Sequence, residues 1–137
     1  MAQVDVDNAE DQARAQYESI AAMVERLRQV QQGKDGIIDE EWEEAREAVL
    51  DNALSVDVRG PWCAPGSIYW RIPFPVEFQI LLCTGGPAVR IVGDLDTFGE
   101  PESAGLECQD WFTPWKSCDW ADGAILLAYC REFYFGD

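Results

Sequence analysis

The sequence predicts an α+β fold: an N-terminal helical hairpin, an antiparallel β-sheet arranged as a meander of three to five strands, and a C-terminal helix. Two observations lead to this class. Apolar residues recur at helical spacing up to residue 54, and beyond it they gather in short β-branched runs separated by Gly and Pro. We expect residues 1–57 to form an acidic helical hairpin and residues 58–137 to form the sheet with the C-terminal helix, packed as one compact unit.

The first helix is predicted to begin at Asn8, whose side chain suits an N-cap and is followed by acids that favour the positive end of the helix dipole. Apolar residues then recur at alternating steps of four and three positions: Ala13, Tyr17, Ile20, Val24 and Leu27. A stripe this narrow is typical of a helix that packs against one partner helix. The pattern fades at Gln31, and residues 33–36 are typical of an interhelical turn.

The second helix is predicted to start at Asp39, in the stretch DEEWEEARE (39–47), which has six acids in nine positions. Its apolar residues fall on one side: Trp42, Ala45, Val49, Leu50, Ala53 and Leu54. The acids occupy the rest of the circumference, so this helix should present a strongly negative face to solvent. Two helices joined by a short turn form an antiparallel hairpin.

The C-terminal part of the chain is typical of strands. VDVRG (56–60) alternates as a short strand does, and GPWCAPG (60–66) is typical of a loop. The segment 67–75 has strand-like residues, but its prolines would hold it at a sheet edge or end it. The clearest signal is a β-hairpin, with EFQILLC (77–83) and AVRIVGDL (88–95) on either side of a Gly-Gly turn.

The remaining residues are predicted to add a strand and a closing helix. Residues 96–103 resemble a turn, and AGLECQDW (104–111) resembles a third strand of the meander. The segment ADGAILLAYCREFYF (121–135) has Asp122 as a cap candidate. Apolar residues follow it at helical spacing: Ile125, Leu126, Tyr129, Cys130 and Phe133.

The charge of the chain limits its partners. It has 26 acidic and 10 basic residues and no His, which gives a net charge of −16 at neutral pH. Residues 1–57 hold 15 acids and 5 bases (net −10), and residues 58–137 hold 11 acids and 5 bases (net −6). Such a field repels nucleic acid and anionic lipid and attracts basic surfaces. We therefore expect no direct nucleic-acid binding, no membrane binding, and a protein partner with a basic surface.

The location is predicted from the N-terminus and the cysteines. MAQVDVDNAEDQ has neither the basic region nor the apolar run of a signal peptide. No stretch reaches the roughly 18 consecutive apolar residues that span a membrane. The five cysteines are odd in number and contain no C-x-x-C pair. We expect reduced thiols and a cytoplasmic location.

The composition predicts no catalytic residue, no metal site and no cofactor. Without His, the usual proton shuttle at neutral pH and the commonest metal ligand are both missing. Cys83 and Cys130 occupy apolar positions and are expected in the core. A zinc site formed by Cys63, Cys108 and Cys118 is a second hypothesis for the remaining thiols, although their spacing resembles no known zinc motif.

Two other patterns bear on chemistry. CTGGP (83–87) lacks the Lys-Ser/Thr of a phosphate-binding loop and is flanked by strands, so it is expected to be a hairpin turn. Glu107 and Asp110 are the best candidates for general acid–base chemistry. Structural ion pairs with Arg71 or Arg90 explain these two carboxylates as well.

The aromatic segment QDWFTPWKSCDW (109–120) contains three Trp and one Phe around Pro114. Such a loop either folds back to seal one end of the core or presents an aromatic binding patch. In the second case Trp111 and Trp115 would be the dehydrated contacts with a partner, because Trp is enriched at binding hot spots.

The acids of the second helix have three interpretations: a solubilising face, a surface for a basic protein, or a cation site, although the EF-hand pattern is absent. Carboxylates at i, i+3 and i, i+4 stand about 5–6 Å apart, a spacing on the scale of successive backbone phosphates. Their repulsion costs a few tenths of a kcal/mol per pair, which a binding role would offset. The acids we expect to contact a partner are Glu40, Glu41, Glu43, Glu44, Glu47 and Asp51.

Part of the chain resembles a family of small acidic proteins carried on conjugative elements, plasmids and phages of proteobacteria. The residues that carry the resemblance are SVDVRGPWCAPG (55–66), EFQILLCTGGPAVRIVGDL (77–95), LECQDWFTPW (106–115) and LAYCREFYFG (127–136). Family members typically have a His where Cys63 stands and a small residue near Phe112, so this chain lacks that His. The resemblance implies a setting, a bacterial host cell, rather than an activity.

Small, very acidic proteins of mobile elements are often anti-defence factors. Our hypothesis is a stoichiometric inhibitor that binds a basic, nucleic-acid-binding surface of a host CRISPR surveillance complex, partly by mimicking phosphate charge. A restriction enzyme is the alternative target. Two hypotheses of a different kind are a non-inhibitory interaction module of the mobile element, dimerised through the Ala13–Leu27 stripe, and a small enzyme that uses Cys63 or the Glu107/Asp110 pair.

Overall fold

Three helices and five strands follow one another in the computed structural model, which describes residues 9–32, 39–60, 62–66, 75–111, 113–133 and 135. The helices are α1 (Ala9–Gln32), α2 (Asp39–Asn52) and α3 (Gly123–Cys130). The strands are β1 (Ser55–Arg59), β2 (Glu77–Cys83), β3 (Ala88–Asp94), β4 (Gly105–Gln109) and β5 (Lys116–Ser117). The predicted α+β class, with helices before and after an antiparallel sheet, is confirmed.

The sheet is a meander in which each strand pairs antiparallel with the next in sequence, in the order β1-β2-β3-β4-β5. Its register places Ile80 opposite Ile91, and Ile91 opposite Leu106. These three side chains therefore share one face and are all buried. The predicted Gly-Gly turn joins β2 to β3, where Gly85 and Gly86 have φ of 98° and 141°, values that favour glycine.

α1 and α3 cover one face of this sheet, and α2 packs on α1. α1 packs against α2, α3, β4 and β3, and it thereby joins the helical layer to the strands. One hydrophobic core combines buried residues of all three helices with those of β2, β3 and β4. The predicted boundary between residues 57 and 58 falls inside β1.

The predicted apolar stripe of α1 faces this core. Ala13 and Ile20 are fully buried and Tyr17 is half-buried. The prediction of a single partner helix was wrong, because a long helix laid across a sheet contacts strands and both other helices. Since the Ala13–Leu27 stripe is buried in its own chain, it is not available as a dimer interface.

The ends of the other two helices differ from the predictions. α2 ends at Asn52, and the Leu54 N–H donates instead to Leu81 O at 2.8 Å, which starts the turn into β1. Leu54 is consequently 59% exposed rather than on the buried side of the helix. Asp122 caps α3 as predicted, accepting a hydrogen bond from the Ala124 N–H at 2.9 Å, but the helix ends at Cys130 and leaves Phe133 beyond it.

Three predictions concern residues outside the described ranges: the Asn8 cap, the interhelical turn at 33–36, and the strand-like segment up to residue 74. The sequence did not predict β5, whose two residues pair with the end of β4. β5 belongs to the aromatic segment 109–120, and its pairing determines where that segment places its tryptophans.

Candidate protein-binding surface

The outward side of α2 is a row of carboxylates. All six predicted acids, Glu40, Glu41, Glu43, Glu44, Glu47 and Asp51, are exposed. Glu40, Glu44, Glu47 and Asp51 follow one another at steps of four, three and four positions, which aligns them along one side of the helix. We call these four residues the acidic strip.

The strip faces outward because the opposite side of α2 is required by the core. Ala45 is 2% exposed and Val49 is 0% exposed, and Trp42 packs against the same core cluster. With the helix fixed by these contacts, the residues half a turn away must face solvent. The position of the acidic strip therefore follows from packing against α1.

Few positive charges neutralise the strip. Among the described residues, Glu44 is the one member in a salt bridge, with Arg26 of α1 at 3.6 Å, and both side chains are about half exposed or more. An ion pair this exposed contributes little stability. Arg46, the basic residue of α2, forms its salt bridge with Glu132 instead, at 3.5 Å. The strip thus keeps most of its negative charge available to a partner.

The predicted tryptophans are not adjacent to one another. Trp111 is 63% exposed and lies against the β2–β3 turn, where a Cβ added to Gly86 would be 2.5 Å from its Nε1. Trp115 is half-buried, with the Arg90 guanidinium carbon 4.0 Å from its ring centroid. The aromatic segment is therefore divided between two environments, one exposed and one stacked on an arginine.

The third tryptophan of the segment seals the helical layer. Trp120 meets Tyr17 edge to face at a centroid distance of 5.7 Å, and the Arg14 guanidinium carbon lies 4.3 Å from its ring centroid. The interpretation that this loop closes one end of the core is therefore correct for Trp120.

The acidic strip and the tryptophans do not form one surface. The strip lies beside the C-terminal half of α1, through the contact of Glu44 with Arg26, whereas Trp120 lies beside Arg14. These two arginines are twelve helical positions apart, a rise of about 18 Å. Arg90 alternates with buried residues of β3, so Trp115 lies on the sheet face opposite the helices.

Arg90 organises that open face of the sheet. Its guanidinium binds Glu107 of β4 at 2.7 Å and Gln79 of β2 at 2.6 Å. A groove of about 580 Å³ runs beside it. The two arginines among its described lining residues, Arg59 and Arg90, each bind a glutamate of the neighbouring strand, so the groove carries paired charges rather than an anion site.

Glu107 and Asp110, the predicted acid–base candidates, have separate structural partners. Glu107 pairs with Arg90, which is one of the two ion pairs predicted for it. Asp110 accepts a hydrogen bond from the Ala9 N–H at the start of α1, at 2.8 Å. The two carboxylates therefore contact different elements, Glu107 the neighbouring strand β3 and Asp110 the start of α1.

Two of the five cysteines, Cys83 and Cys130, have the surroundings expected of structural thiols. Cys130 is fully buried and Cys83 is half-buried, and burial raises the pKa of both thiols, which opposes formation of the nucleophilic thiolate. Within the described residues, no three side chains of His, Cys, Asp or Glu converge as a metal site would require. The zinc hypothesis brought Cys108 and Cys118 together, and their Sγ atoms are 3.6 Å apart, but no third ligand joins them among the described residues.

Comparisons of this chain with protein-family models, with curated proteins and with solved structures found no match. In the parts of the chain that the structure describes, no helix combines the length and the apolar character needed to cross a bilayer.

Proposed function

We propose that this chain is a stoichiometric inhibitor that binds a basic, nucleic-acid-binding surface of a partner protein through the acidic strip of α2. The observation that carries the proposal is the alignment of Glu40, Glu44, Glu47 and Asp51 on the exposed side of a helix held by the core. A preformed row of charge on a rigid element needs little ordering when it binds. Glu41 and Glu43 extend the negative surface on either side.

The dimensions of the strip suit a nucleic-acid-binding surface. Eleven helical positions separate Glu40 from Asp51, a rise of about 16 Å. One strand of a DNA duplex advances about 3.4 Å per phosphate, so the strip has the length of roughly five nucleotides and carries four charges. A basic groove that normally holds phosphates would meet a comparable charge density.

The proposed target is a host defence complex, a CRISPR surveillance complex first and a restriction enzyme second. Support for this setting comes from the resemblance of segments within residues 55–136 to acidic proteins of mobile elements, and from the net charge of −16. Trp111, which is 63% exposed, would add an apolar contact to the partner away from the acidic strip, next to the β2–β3 turn. A partner large enough to reach both features would contact two faces of this small protein.

The test is a charge reversal with a matched control. Glu47→Lys with Asp51→Lys reverses half of the strip and avoids Glu44, which is paired with Arg26. The control, Glu100→Lys with Glu102→Lys, makes the same change in net charge at exposed positions between β3 and β4. Each protein is used to capture partners from lysate of bacteria that carry defence systems, with elution in a salt gradient and identification by mass spectrometry.

We expect the parent protein and the control to retain a CRISPR or restriction subunit that elutes at moderate salt, because surface charge acts over a Debye length of about 8 Å. The strip variant should lose that subunit. If both variants retain that subunit equally, the acidic strip of α2 does not contribute to binding. Inhibition of the isolated target should saturate at one equivalent, whereas complete inhibition at a small fraction of an equivalent would indicate an enzyme instead.

A further inference from the structure

The side chains of Cys108 and Cys118 meet in the interior. The Cys118 thiol donates a hydrogen bond to Cys108 Sγ at 3.6 Å, and the two residues are 5% and 1% exposed, respectively. Both are free thiols. In the part of the chain that the structure describes, no other pair of cysteine sulfurs is in hydrogen-bonding contact.

The sheet register explains this contact. Cys108 of β4 lies opposite Lys116 of β5, and the Cys118 N–H continues the ladder by donating to Leu106 O at 2.9 Å. Cys118 is therefore two positions from the partner of Cys108, on the same face. Such diagonal neighbours on one face of an antiparallel pair are close enough for their side chains to touch.

We propose that Cys108 and Cys118 are a modification site, a dithiol that a hydroperoxide converts into an intramolecular disulfide. The Cys108 sulfur attacks one peroxide oxygen, the O–O bond breaks, and a sulfenic acid and one water form. The Cys118 sulfur then attacks the Cys108 sulfur, the S–O bond breaks, and a second water leaves. Two thiols lose two electrons and two protons, and hydrogen peroxide is reduced to two waters.

Access for a small oxidant comes from a cavity beside the N-terminus of α1. The cavity has a volume of about 410 Å³, and its lining includes Cys108, Glu10 and Lys116. It reaches Cys108 rather than Cys118, which sets the order of the two steps. Burial, together with the neighbouring Cys108, raises the pKa of the Cys118 thiol to about 12, so the closing step should become faster as the pH rises.

Closure requires little movement. The sulfur atoms must approach from 3.6 Å to a bond length of about 2.05 Å. Cys118 immediately follows β5, a two-residue strand at the edge of the sheet, so only one neighbouring strand holds it. The disulfide would close a ring over residues 108–118 and thereby restrict the segment that carries Trp111 and Trp115.

The test uses the full chain, reduced and then treated with hydrogen peroxide under native conditions at pH 7 and pH 9. After quenching with an alkylating reagent, the free thiols are counted in denaturant. We expect the five thiols of the untreated protein to fall to three, and to do so faster at pH 9. Trypsin, which cuts after Arg90, Lys116 and Arg131, should then release residues 91–116 linked to residues 117–131.

Tandem mass spectrometry of the linked peptides assigns the bond, because residues 117–131 contain both Cys118 and Cys130. The Cys118→Ser variant has four thiols and should form no intramolecular disulfide. The control variant Cys63→Ser also has four thiols, and its count should fall to two when the Cys108–Cys118 disulfide forms. We also expect the oxidised protein to melt about 5–10 °C higher than the reduced one. Retention of all five thiols, a bond to Cys130, or a disulfide-linked dimer through Cys63 would each overturn the proposal.

Discussion

Asp110 Oδ1 accepts a hydrogen bond from the backbone N–H of Ala9 at 2.8 Å, across 101 positions of the chain. Ala9 is the first residue of α1, and the N–H groups of a first helical turn have no partner within the helix. The carboxylate also lies at the positive end of the helix dipole. One side chain at the end of β4 therefore fastens the start of α1 to the sheet.

Replacing Asp110 with Ala should lower the free energy of unfolding by about 1–2 kcal/mol, because both the hydrogen bond and the charge at the helix end are lost. Asp119→Ala is the matched control, since it removes an exposed carboxylate that lies outside the three helices. Urea denaturation followed by circular dichroism measures both. Equal stability of the two variants would show that the Asp110 contact contributes nothing.

Gly93 of β3 lies where two other elements come close. A Cβ added at this position would overlap the backbone carbonyl oxygen of Ser103 and lie 2.7 Å from the Phe78 ring. Gly93→Ala should therefore destabilise the fold by about 3 kcal/mol, because the backbone neighbour has little freedom to move. Gly105→Ala is the control, since a Cβ there meets nothing within 4 Å. Comparable melting temperatures for the two variants would contradict this account.

The acidic strip should cost α2 stability. Glu40, Glu44 and Glu47 repel one another at helical spacings, and Asp51 places a negative charge at the negative end of the helix dipole. Neutralising Glu47→Gln with Asp51→Asn should raise the free energy of unfolding by about 0.5–1 kcal/mol at low salt. The gain should shrink in 1 M NaCl, where the Debye length is about 3 Å. A salt-independent gain would point to helix propensity rather than charge.

Alkaline pH should destabilise the protein through Tyr129. Its side chain is fully buried and accepts a hydrogen bond from Asn52 Nδ2 at 2.9 Å, and burial raises the pKa of its hydroxyl from 10.0 to about 12. The folded state therefore holds this proton more tightly than the unfolded state. The stability it contributes is fully present below pH 10 and is lost as the pH rises toward 12, about 2–3 kcal/mol in all.

Absorbance at 295 nm follows tyrosinate formation, and we expect Tyr129 to ionise late, close to pH 12. Tyr129→Phe should flatten the loss of stability between pH 10 and pH 12, although it also loses the Asn52 hydrogen bond at neutral pH. Tyr17→Phe serves as the control, since the Tyr17 hydroxyl accepts a hydrogen bond from the Asp122 N–H. An unchanged alkaline profile for Tyr129→Phe would count against this role.

Local patterns predicted the elements well where each pattern has one physical cause. The spacing of Ala13 and Ile20 predicts which side of α1 is buried. The segments EFQILLC and AVRIVGD predict a hairpin whose side chains alternate between the core and the opposite face of the sheet. The outward side of α2 was predictable for the same reason. Its carboxylates face solvent because Ala45 and Val49 do not.

Contacts between distant segments were not predictable from such patterns. Three tryptophans within ten positions left open a loop that seals the core or one aromatic patch. Neither describes all three, because Trp115 stacks on Arg90 of β3 and Trp120 packs beside Arg14 of α1. The two-residue strand β5 divides them, and a strand so short leaves no alternation to recognise. The meeting of Cys108 and Cys118 depends on that same pairing.

The order of the elements along the chain has a consequence for how the protein is made. Each strand pairs with its neighbour in sequence, so the sheet assembles from short-range hairpins. α1 is different, because it leaves the ribosome early. The elements that it packs against, β3, β4 and α3, are translated later, and so is Asp110, which caps α1. During synthesis its apolar stripe can at first be covered only by α2. The nascent helical hairpin should therefore be the stage most exposed to chaperones and proteases, until the C-terminal half of the chain emerges to enclose it.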